Sequence, residues 1–466
     1  MNGDLCICLP RRYARRSVLI CICLLVAVYT DAQVLRLPDA VNKAIDNYPL
    51  IKQRQAVIAA QSAHIATVAG NRLPSLKIYD QVTLGTDNSV NGSYFPGIVS
   101  TSGGIHAANN SDAASGNIAL SQLEWEFCNF GYYHAARRQA EAARSSGQAV
   151  LQRDTYLFTG QIIMLYLDMI KHYHLQQVEK ENEARATGIA DAIRALVMSG
   201  LKPGVDSMTA RAEYARAHIA YQQAKEAYES DRAAMAAYTG LDAATIVPDT
   251  AMFSNALGQQ LPLADTITAD HPLLAVYQKA IEQQQADNNA TAHKYLPKLY
   301  LEGAAWMRGS SISSAGVYND LAAGLSYSRY NYLFGLAFTY NLFDIKHRHD
   351  QLTEGRLQAN ALEYDRAAQQ LNLEKAVQQA DISYNSAREQ AAAVPQETEA
   401  ARQAYQQQLA LYNAGLGTLT DVTSALYTLR QTETDDVLVK DNMLRILYMR
   451  AGLSNQVENF LQMFKQ

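Results

Sequence analysis

The sequence predicts a fold that is mainly α with a membrane β-barrel portion, laid out as duplicated helix–β-hairpin–long helix–turn–helix units. Three observations predict it. First, a turn-like stretch occurs twice, as Ser199-Gly-Leu-Lys-Pro-Gly-Val-Asp206 and as Ala414-Gly-Leu-Gly-Thr-Leu-Thr-Asp421. Gly200, Leu201, Asp206 and Ala210 match Gly415, Leu416, Asp421 and Ala425 at a single offset of 215 residues. Second, the segments around both copies are long and nearly free of helix breakers, which is the pattern of extended helices. Third, four runs of roughly ten residues alternate in polarity, near the length a tilted strand needs to cross a membrane.

Composition sets the outer limits. The chain has 466 residues and a net charge of −5, without the basic bias that nucleic-acid binding requires, so no nucleic-acid partner is expected. Tyr is abundant at 28 against 10 Phe, which suits wetted helix–helix seams better than one apolar core. Residues 1–32 read as a secretory signal peptide. Arg11, Arg12, Arg15 and Arg16 precede an apolar run from Ser17 to Val28, and Thr30-Asp31-Ala32 places small residues at a cleavage site. The run is too short for a comfortable membrane-spanning helix. Cleavage removes Cys6, Cys8, Cys21 and Cys23 and leaves Cys128, so no intrachain disulfide is expected. The loss of four Arg and two Asp takes the charge to −7.

The first repeat is expected over 33–240. Leu37 to Asn71 reads as a helix with an early break at Pro49, stopped by Leu73-Pro74. A β-hairpin follows over 75–128. Its first strand has Leu76, Ile78, Val82 and Leu84 on one face, interrupted by Asp80. A Gly/Ser/Asn-rich stretch over 85–116 is expected as an exposed loop. The second strand has Ala119, Ser121, Leu123, Trp125 and Phe127 on one face and Gln122, Glu124 and Glu126 on the other. From Tyr132 to Met198 there is no proline, which predicts a helix of roughly 100 Å at 1.5 Å per residue. The tip turn at 199–206 leads to a helix from Val205 to Thr239, stopped by Gly240.

Residues 241–269 form an irregular inter-repeat equatorial segment, and the plan restarts over 270–452. Asn47-Tyr48-Pro49-Leu50 recurs as Asp270-His271-Pro272-Leu273, and Leu73-Pro74 as Leu296-Pro297, both offset by 223. The change of offset to 215 beyond the hairpin is one deletion within a duplication. The second β-hairpin spans 298–343. Its last strand carries Tyr332, Phe334, Leu336, Phe338, Tyr340 and Leu342 on one face, and Leu333, Gly335, Ala337, Thr339 and Asn341 on the other. A helix from about Ile345 to Tyr412, kinked at Pro395, reaches the tip turn at 413–421. The final helix runs from Thr420 to Ala451, with Gly452 in the place of Gly240, and 453–466 is a tail.

An apolar strand face flanked by tyrosines, opposite a small or polar one, is the alternation of a membrane barrel with a wet lumen. The lipid-facing residues are then Tyr332, Phe334, Leu336, Phe338 and Tyr340 with Leu123, Trp125 and Phe127. Four strands cannot close a barrel, and an open edge in lipid leaves backbone groups unpaired. Strands from several copies are therefore expected to combine.

The chain resembles the TolC-like outer-membrane efflux proteins. The resemblance rests on the duplicated element order, the Leu-Pro before each first strand, the strand exits Phe127-Cys-Asn-Phe-Gly131 and Asn341-Leu-Phe-Asp344, and the two Gly-Leu…Asp turns. It implies a homotrimer whose 12-stranded β-barrel is continuous with a periplasmic α-helical barrel. It also implies an outer-membrane exit channel for efflux or type I secretion, partnered by a periplasmic membrane-fusion adaptor protein and an inner-membrane transporter of the RND or ABC type. On the same ground Gly200, Leu201, Gly204, Gly415, Leu416 and Gly417 belong to adaptor-docking tip turns, and Asp206 and Asp421 to the periplasmic aperture. The bland reading, in which these acids N-cap the returning helices, stands beside the aperture role. Gly417 occupies the place of a basic gate residue found in some members.

No cofactor, metal or enzymatic chemistry is expected. His347 and His349, like His172 and His174, are two apart and do not share a helix face; charged belts at the lumen or headgroup edge are the better reading. The alternative function is a secreted or surface-anchored coiled-coil adhesin or adaptor without a pore.

Overall fold

The structure, a computed structural model, describes residues 33–89, 105, 107–254, 267–268 and 270–464. The signal peptide expected over 1–32 lies outside the described residues, as do parts of the 85–116 loop, the 241–269 segment and the end of the tail. In order, the elements are β1 (Gln33–Leu35), α1 (Leu37–Asn47), α2 (Pro49–Gly70), β2 (Ser75–Gly85), β3 (Ala114–Cys128), α3 (Tyr132–Met198) and α4 (Gly204–Thr239). Then come β4 (Ile246–Pro248), α5 (Ala251–Ser254), α6 (Pro272–Lys294), β5 (Lys298–Ser310), β6 (Arg329–Thr339), α7 (Asp344–Asn413), α8 (Leu419–Leu453) and α9 (Val457–Gln462). Pro49 breaks the first helix as expected: Tyr48 before it is extended, at φ −70° and ψ 119°.

Two compact units emerge. One comprises the described residues of Met1–Lys52, Asp154–His271 and Leu371–Gln466; the other comprises those of Gln53–Arg153 and Pro272–Gln370. Each draws on both halves of the sequence.

The first unit is helical. Its core joins Leu37, Val41 and Ala44 of α1 to Ile162, Tyr166 and Ile170 of α3 and to Leu444 and Leu447 of α8. Tyr166 shows how a buried polar group is satisfied there. Its hydroxyl donates to the Leu35 carbonyl at 2.7 Å and accepts the Asp249 N–H at 3.0 Å, while burial pushes the phenol pKa far up. Leu35 ends β1 and Asp249 follows directly on β4, and the two strands pair in parallel. Part of the segment expected to be irregular is therefore a small sheet. The seams between helices carry ion pairs: Arg430–Glu179 at 2.8 Å, Arg185–Glu433 at 2.6 Å and Arg445–Asp168 at 2.8 Å.

Two expectations at the C-terminal end need correction. Gly452 does not stop the last long helix, which continues to Leu453 and turns at Asn455 (φ 57°). Gly240 does cap α4, in the left-handed region at φ 72°. At Gly452 a Cβ would lie 3.1 Å from the Tyr156 hydroxyl, so the glycine answers a close approach rather than a turn. The segment after 453 is not a tail either: α9 buries Phe460, and Phe464 packs edge-on to Tyr166.

The second unit carries an antiparallel sheet in the order β2-β3-β5-β6. Leu123 lies opposite Leu76 and Gly303, and Gly303 lies opposite Phe334, which fixes the faces across all four strands. β3 starts at Ala114, inside the expected loop. β6 ends earlier than the alternation suggested, so Tyr340 and Leu342 lie beyond the strand. The reason is the neighbour: the last ladder pair is Lys298 with Thr339, and Pro297 before it has no N–H to extend the ladder. Asn341 then accepts the Phe343 N–H and donates to Asp344, opening α7.

Candidate functional site

The two tip turns lie in the first unit and are built alike. At the first, Gly200 has φ 75°, its N–H reaches the Val197 carbonyl at 3.0 Å, and the Leu201 N–H reaches Leu196 at 2.9 Å. At the second, Gly415 has φ 78°, its N–H reaches Tyr412 at 3.0 Å, and the Leu416 N–H reaches Leu411 at 2.9 Å. This paired bonding closes a helix with a left-handed glycine. The leucine that follows each glycine usually tucks against the helix just ended, but Leu201 is 71% exposed and Leu416 is 78% exposed. Each turn therefore presents a bare apolar side chain.

The acids of the turns do different work, and neither is an N-cap. Asp206 stands in the first turn of α4, behind the N-cap Pro203 and Gly204. Its carboxylate accepts the Tyr412 hydroxyl at 3.5 Å, a long contact, and Lys202 Nζ stands 4.3 Å from the centre of the same ring. Tyr412 is buried, and burial together with Asp206 pushes its pKa up, keeping the hydroxyl a donor. The two turns are thus tied to each other through Lys202, Tyr412 and Asp206. A cluster of Ile193, Ala210, Tyr405, Tyr412, Leu419 and Val422 packs behind them.

Asp421 is the third residue of α8 and completes a capping box. Its N–H donates to Thr418 Oγ1 at 3.2 Å, while its carboxylate accepts the Thr418 N–H at 3.0 Å and hydroxyl at 2.6 Å. These bonds hold its pKa below the ordinary carboxylate value. The side chain is exposed all the same. Gly417 has a packing reason: a Cβ there would lie 3.3 Å from the Tyr412 backbone nitrogen.

In the second unit, Tyr332, Phe334, Leu336 and Phe338 share one face of β6 and are 64–80% exposed. Leu123 and Trp125 of β3 lie on the same face through the ladder. Phe127 sits at a bulge between Glu126 and Cys128, with its ring 6.2 Å from Trp125. Trp125 donates its indole N–H to the Arg72 carbonyl at 2.9 Å, an apolar ring with its polar edge satisfied. Asp80, which interrupts this face, accepts the Tyr327 hydroxyl at 2.9 Å, and Asn117 donates to the Leu325 carbonyl at 3.0 Å. The segment after β5 therefore folds over the end of the sheet, where Ser115 and Asn117 are buried while Asp80 stays exposed.

The paired histidines part company. His172 Nδ1 lies 2.6 Å from an Asp231 carboxylate oxygen, a half-buried hydrogen bond between α3 and α4. His174 stacks on Phe253 at 4.3 Å, and burial lowers its pKa to about 4, so it is a neutral packing residue and not part of a charged belt. Among the described residues no His, Cys, Asp and Glu cluster could hold a metal ion, and no helix is long and apolar enough to cross a membrane. The sequence reading missed Tyr412 and Lys202. The signal was present in the repeat itself, since Tyr412 replaces Val197 at the matching position.

An exposed apolar sheet whose outer strands have no further partner among the described residues, and long helical hairpins with glycine-closed tips, are together the elements of an outer-membrane channel subunit. The profile of the outer membrane efflux protein family matches residues 40–241 and 263–448, and the chain belongs to that family. Its fold is that of the solved outer-membrane channels. VceC of Vibrio cholerae is 14% identical with a TM-score of 0.71, over 90% of this chain and 95% of that one. CmeC of Campylobacter jejuni is 14% identical with a TM-score of 0.72, over 90% and 86%. The open-state MtrE channel of Neisseria gonorrhoeae is 13% identical with a TM-score of 0.66, over 93% and 92%. No curated protein matches the chain by sequence. The protein is an outer-membrane exit channel for efflux or secretion that works with other transport components, and a pore-less adhesin is not favoured.

Proposed function

We propose that three copies of this chain assemble into a passive conduit in which each contributes four strands to a 12-stranded barrel. The observation that carries this reading is the sheet. Its outer strands β2 and β6 have no further partner among the described residues, and its apolar face is open. In lipid, each unpaired backbone group on such an edge costs several kcal/mol, and pairing β6 of one copy with β2 of the next removes both edges. The belt of Tyr332, Phe334, Leu336, Phe338, Leu123, Trp125 and Phe127 then meets outer-membrane lipid.

The two sequence repeats, 33–240 and 270–452, supply two helical hairpins per copy. Their tips form the periplasmic rim, where the exposed Leu201 and Leu416 dock a membrane-fusion adaptor and, through it, an inner-membrane transporter of the RND or ABC type. The protein performs no chemistry of its own. Asp421 lines the aperture while its capping bonds fix its position, and three such carboxylates near the axis favour cations.

The mature protein in detergent is expected to run as a heat-modifiable trimer and to conduct ions in planar bilayers; a stable monomer would falsify the assembly. Asp421→Ala is expected to lower cation selectivity severalfold, an order-of-magnitude figure for removing a ring of charge from a constriction. Unchanged selectivity would remove Asp421 from the aperture.

A further inference from the structure

The sheet face turned away from the aromatic belt is ordered by charge. Residues directly opposite across a ladder share a face, so the register sorts that face into rungs. Ser75, Glu124, Glu302 and Gly335 form one rung. Lys77, Gln122, Ala304 and Leu333 follow, then Tyr79, Leu120, Trp306 and Asn331. The last is Gln81, Ile118, Arg308 and Arg329. Glu124, Glu126 and Glu302 stand at the end from which the helices leave, Glu126 paired there with Lys298 at 3.3 Å, and two guanidiniums stand at the end where the strands are joined by loops. From Glu302 to Arg308 is roughly 20 Å along the strand, more than twice the ~8 Å screening length at physiological salt. The two ends therefore act on ions independently.

Arg308 and Arg329 are directly opposite one another and both exposed. Among the described residues neither forms an ion pair. Among the described residues the one hydrogen bond made by either side chain runs from Arg329 Nη1 to the Ser328 carbonyl at 3.2 Å. Little in the adjoining loops could neutralise them. Residues 86–113 hold only Asp87 and Asp112 as acids, and 311–328 only Asp320, whose carboxylate accepts the Ala322 N–H. Like charges directly opposite in a ladder destabilise it, and an anion between them removes that cost. The planar guanidinium fork fits carboxylate and phosphate oxygens in pairs.

We propose that Arg308 and Arg329 of the assembled channel form a guanidinium collar at the outer end of the lumen that binds solutes bearing a carboxylate or phosphate group. The proposal rests on the reading that the aromatic face meets lipid, which turns the arginine face to the lumen. Trimeric assembly gives six guanidiniums, with the Tyr79–Trp306 rung beneath them to contact the apolar part of an amphiphilic anion. The same phosphate chemistry could instead come from a lipid headgroup, and the test separates the two sources.

The test uses the full-length mature trimer in planar bilayers of zwitterionic phospholipid, with millimolar inorganic phosphate added on the loop side. Phosphate is expected to lower wild-type conductance roughly twofold, as a multi-site charged constriction does. The charge-preserving Arg308→Lys/Arg329→Lys pair is expected to keep most of the response, and Arg308→Ser/Arg329→Ser to lose it and become more cation-selective. If the double serine variant does not form a heat-modifiable trimer, Arg308→Gln and Arg329→Gln singly are each expected to lose about half of the response, since each removes one of two bidentate guanidiniums. A wild-type channel indifferent to phosphate, or serine and glutamine variants that respond as the wild type does, overturns the collar. A response seen only when a lipid with an anionic phosphate-monoester headgroup is added to the zwitterionic bilayer overturns the lumenal placement. A wild-type protein that forms no channel overturns the conduit reading beneath it.

Discussion

At the first tip the chain leaves Gly200 and restarts at Gly204 behind Pro203, an N-cap with no side-chain acceptor. At the second it leaves Gly415 and restarts behind Thr418, locked by a reciprocal box with Asp421. One duplicated turn has thus kept its closing half and divided the labour of its opening half. Asp421 is spent on its own helix, while Asp206, freed from capping, reaches across to Tyr412. Tyr412 in turn stands where the first copy has Val197. The difference teaches that the acids, alike in sequence position, hold different things: one the start of a helix, the other the two turns together.

The comparison breaks most readily at Tyr412. Removing a buried aromatic ring costs about 3–5 kcal/mol, so Tyr412→Ala should strongly lower the unfolding midpoint of the detergent-solubilised protein. Val197→Ala deletes two methyl-sized groups from a half-buried site and should cost about 1–1.5 kcal/mol. Equal losses would mean that the second tip holds no special link. The glycines should behave alike instead. At both, φ lies in the left-handed region and a Cβ would meet nothing within 4 Å. Gly200→Ala and Gly415→Ala should therefore each cost about 1–2 kcal/mol, from backbone strain alone. A gap of more than about 1 kcal/mol between them, beyond ordinary scatter, would show that the turns are not equivalent.

How far the sequence carried depends on the range of the forces concerned. Helix ends and turns were legible because Gly200, Gly415, Pro49 and Pro74 act on their own backbone. The sheet order was implied by alternation, but its ends were not. Tyr340 fits the period perfectly and still lies outside β6, because the ladder ends on a neighbour that Pro297 interrupts. Gly452 looked like a repeat of Gly240 and is instead a contact with Tyr156, a partner nearly 300 residues away. His174 looked like its neighbour His172 until Phe253 covered it. Of the tip, the turns were readable; the capping box that Asp421 forms with Thr418 and the tie through Lys202, Tyr412 and Asp206 were not, the latter because it joins side chains from the two hairpins.

The capping difference can be measured directly. Thr418→Ala removes the acceptor for the Asp421 N–H and should cost about 1 kcal/mol, whereas Pro203→Ala removes no side-chain bond and should stay within about 0.5 kcal/mol. If Pro203→Ala proved the more damaging, the division of labour between the turns would have to be reversed.

The finest distinction is one of pH. Hydrogen bonds from Thr418 favour the charged form of Asp421 and hold its pKa below the ordinary carboxylate value of about 3.9. A depressed native pKa contributes stability above the unfolded pKa and loses it only as pH falls through the native one. The aperture charge should therefore persist through mild acid, and cation selectivity should fade only below about pH 4. Thr418→Val keeps the side-chain shape but removes the hydroxyl, so the midpoint of that fading should move upward toward the ordinary carboxylate range. Reversal potentials recorded against pH would show the displacement. A midpoint that stays where it was would mean that Thr418 holds the helix without holding the charge, and that Asp421 could take the first turn's role as readily as its own.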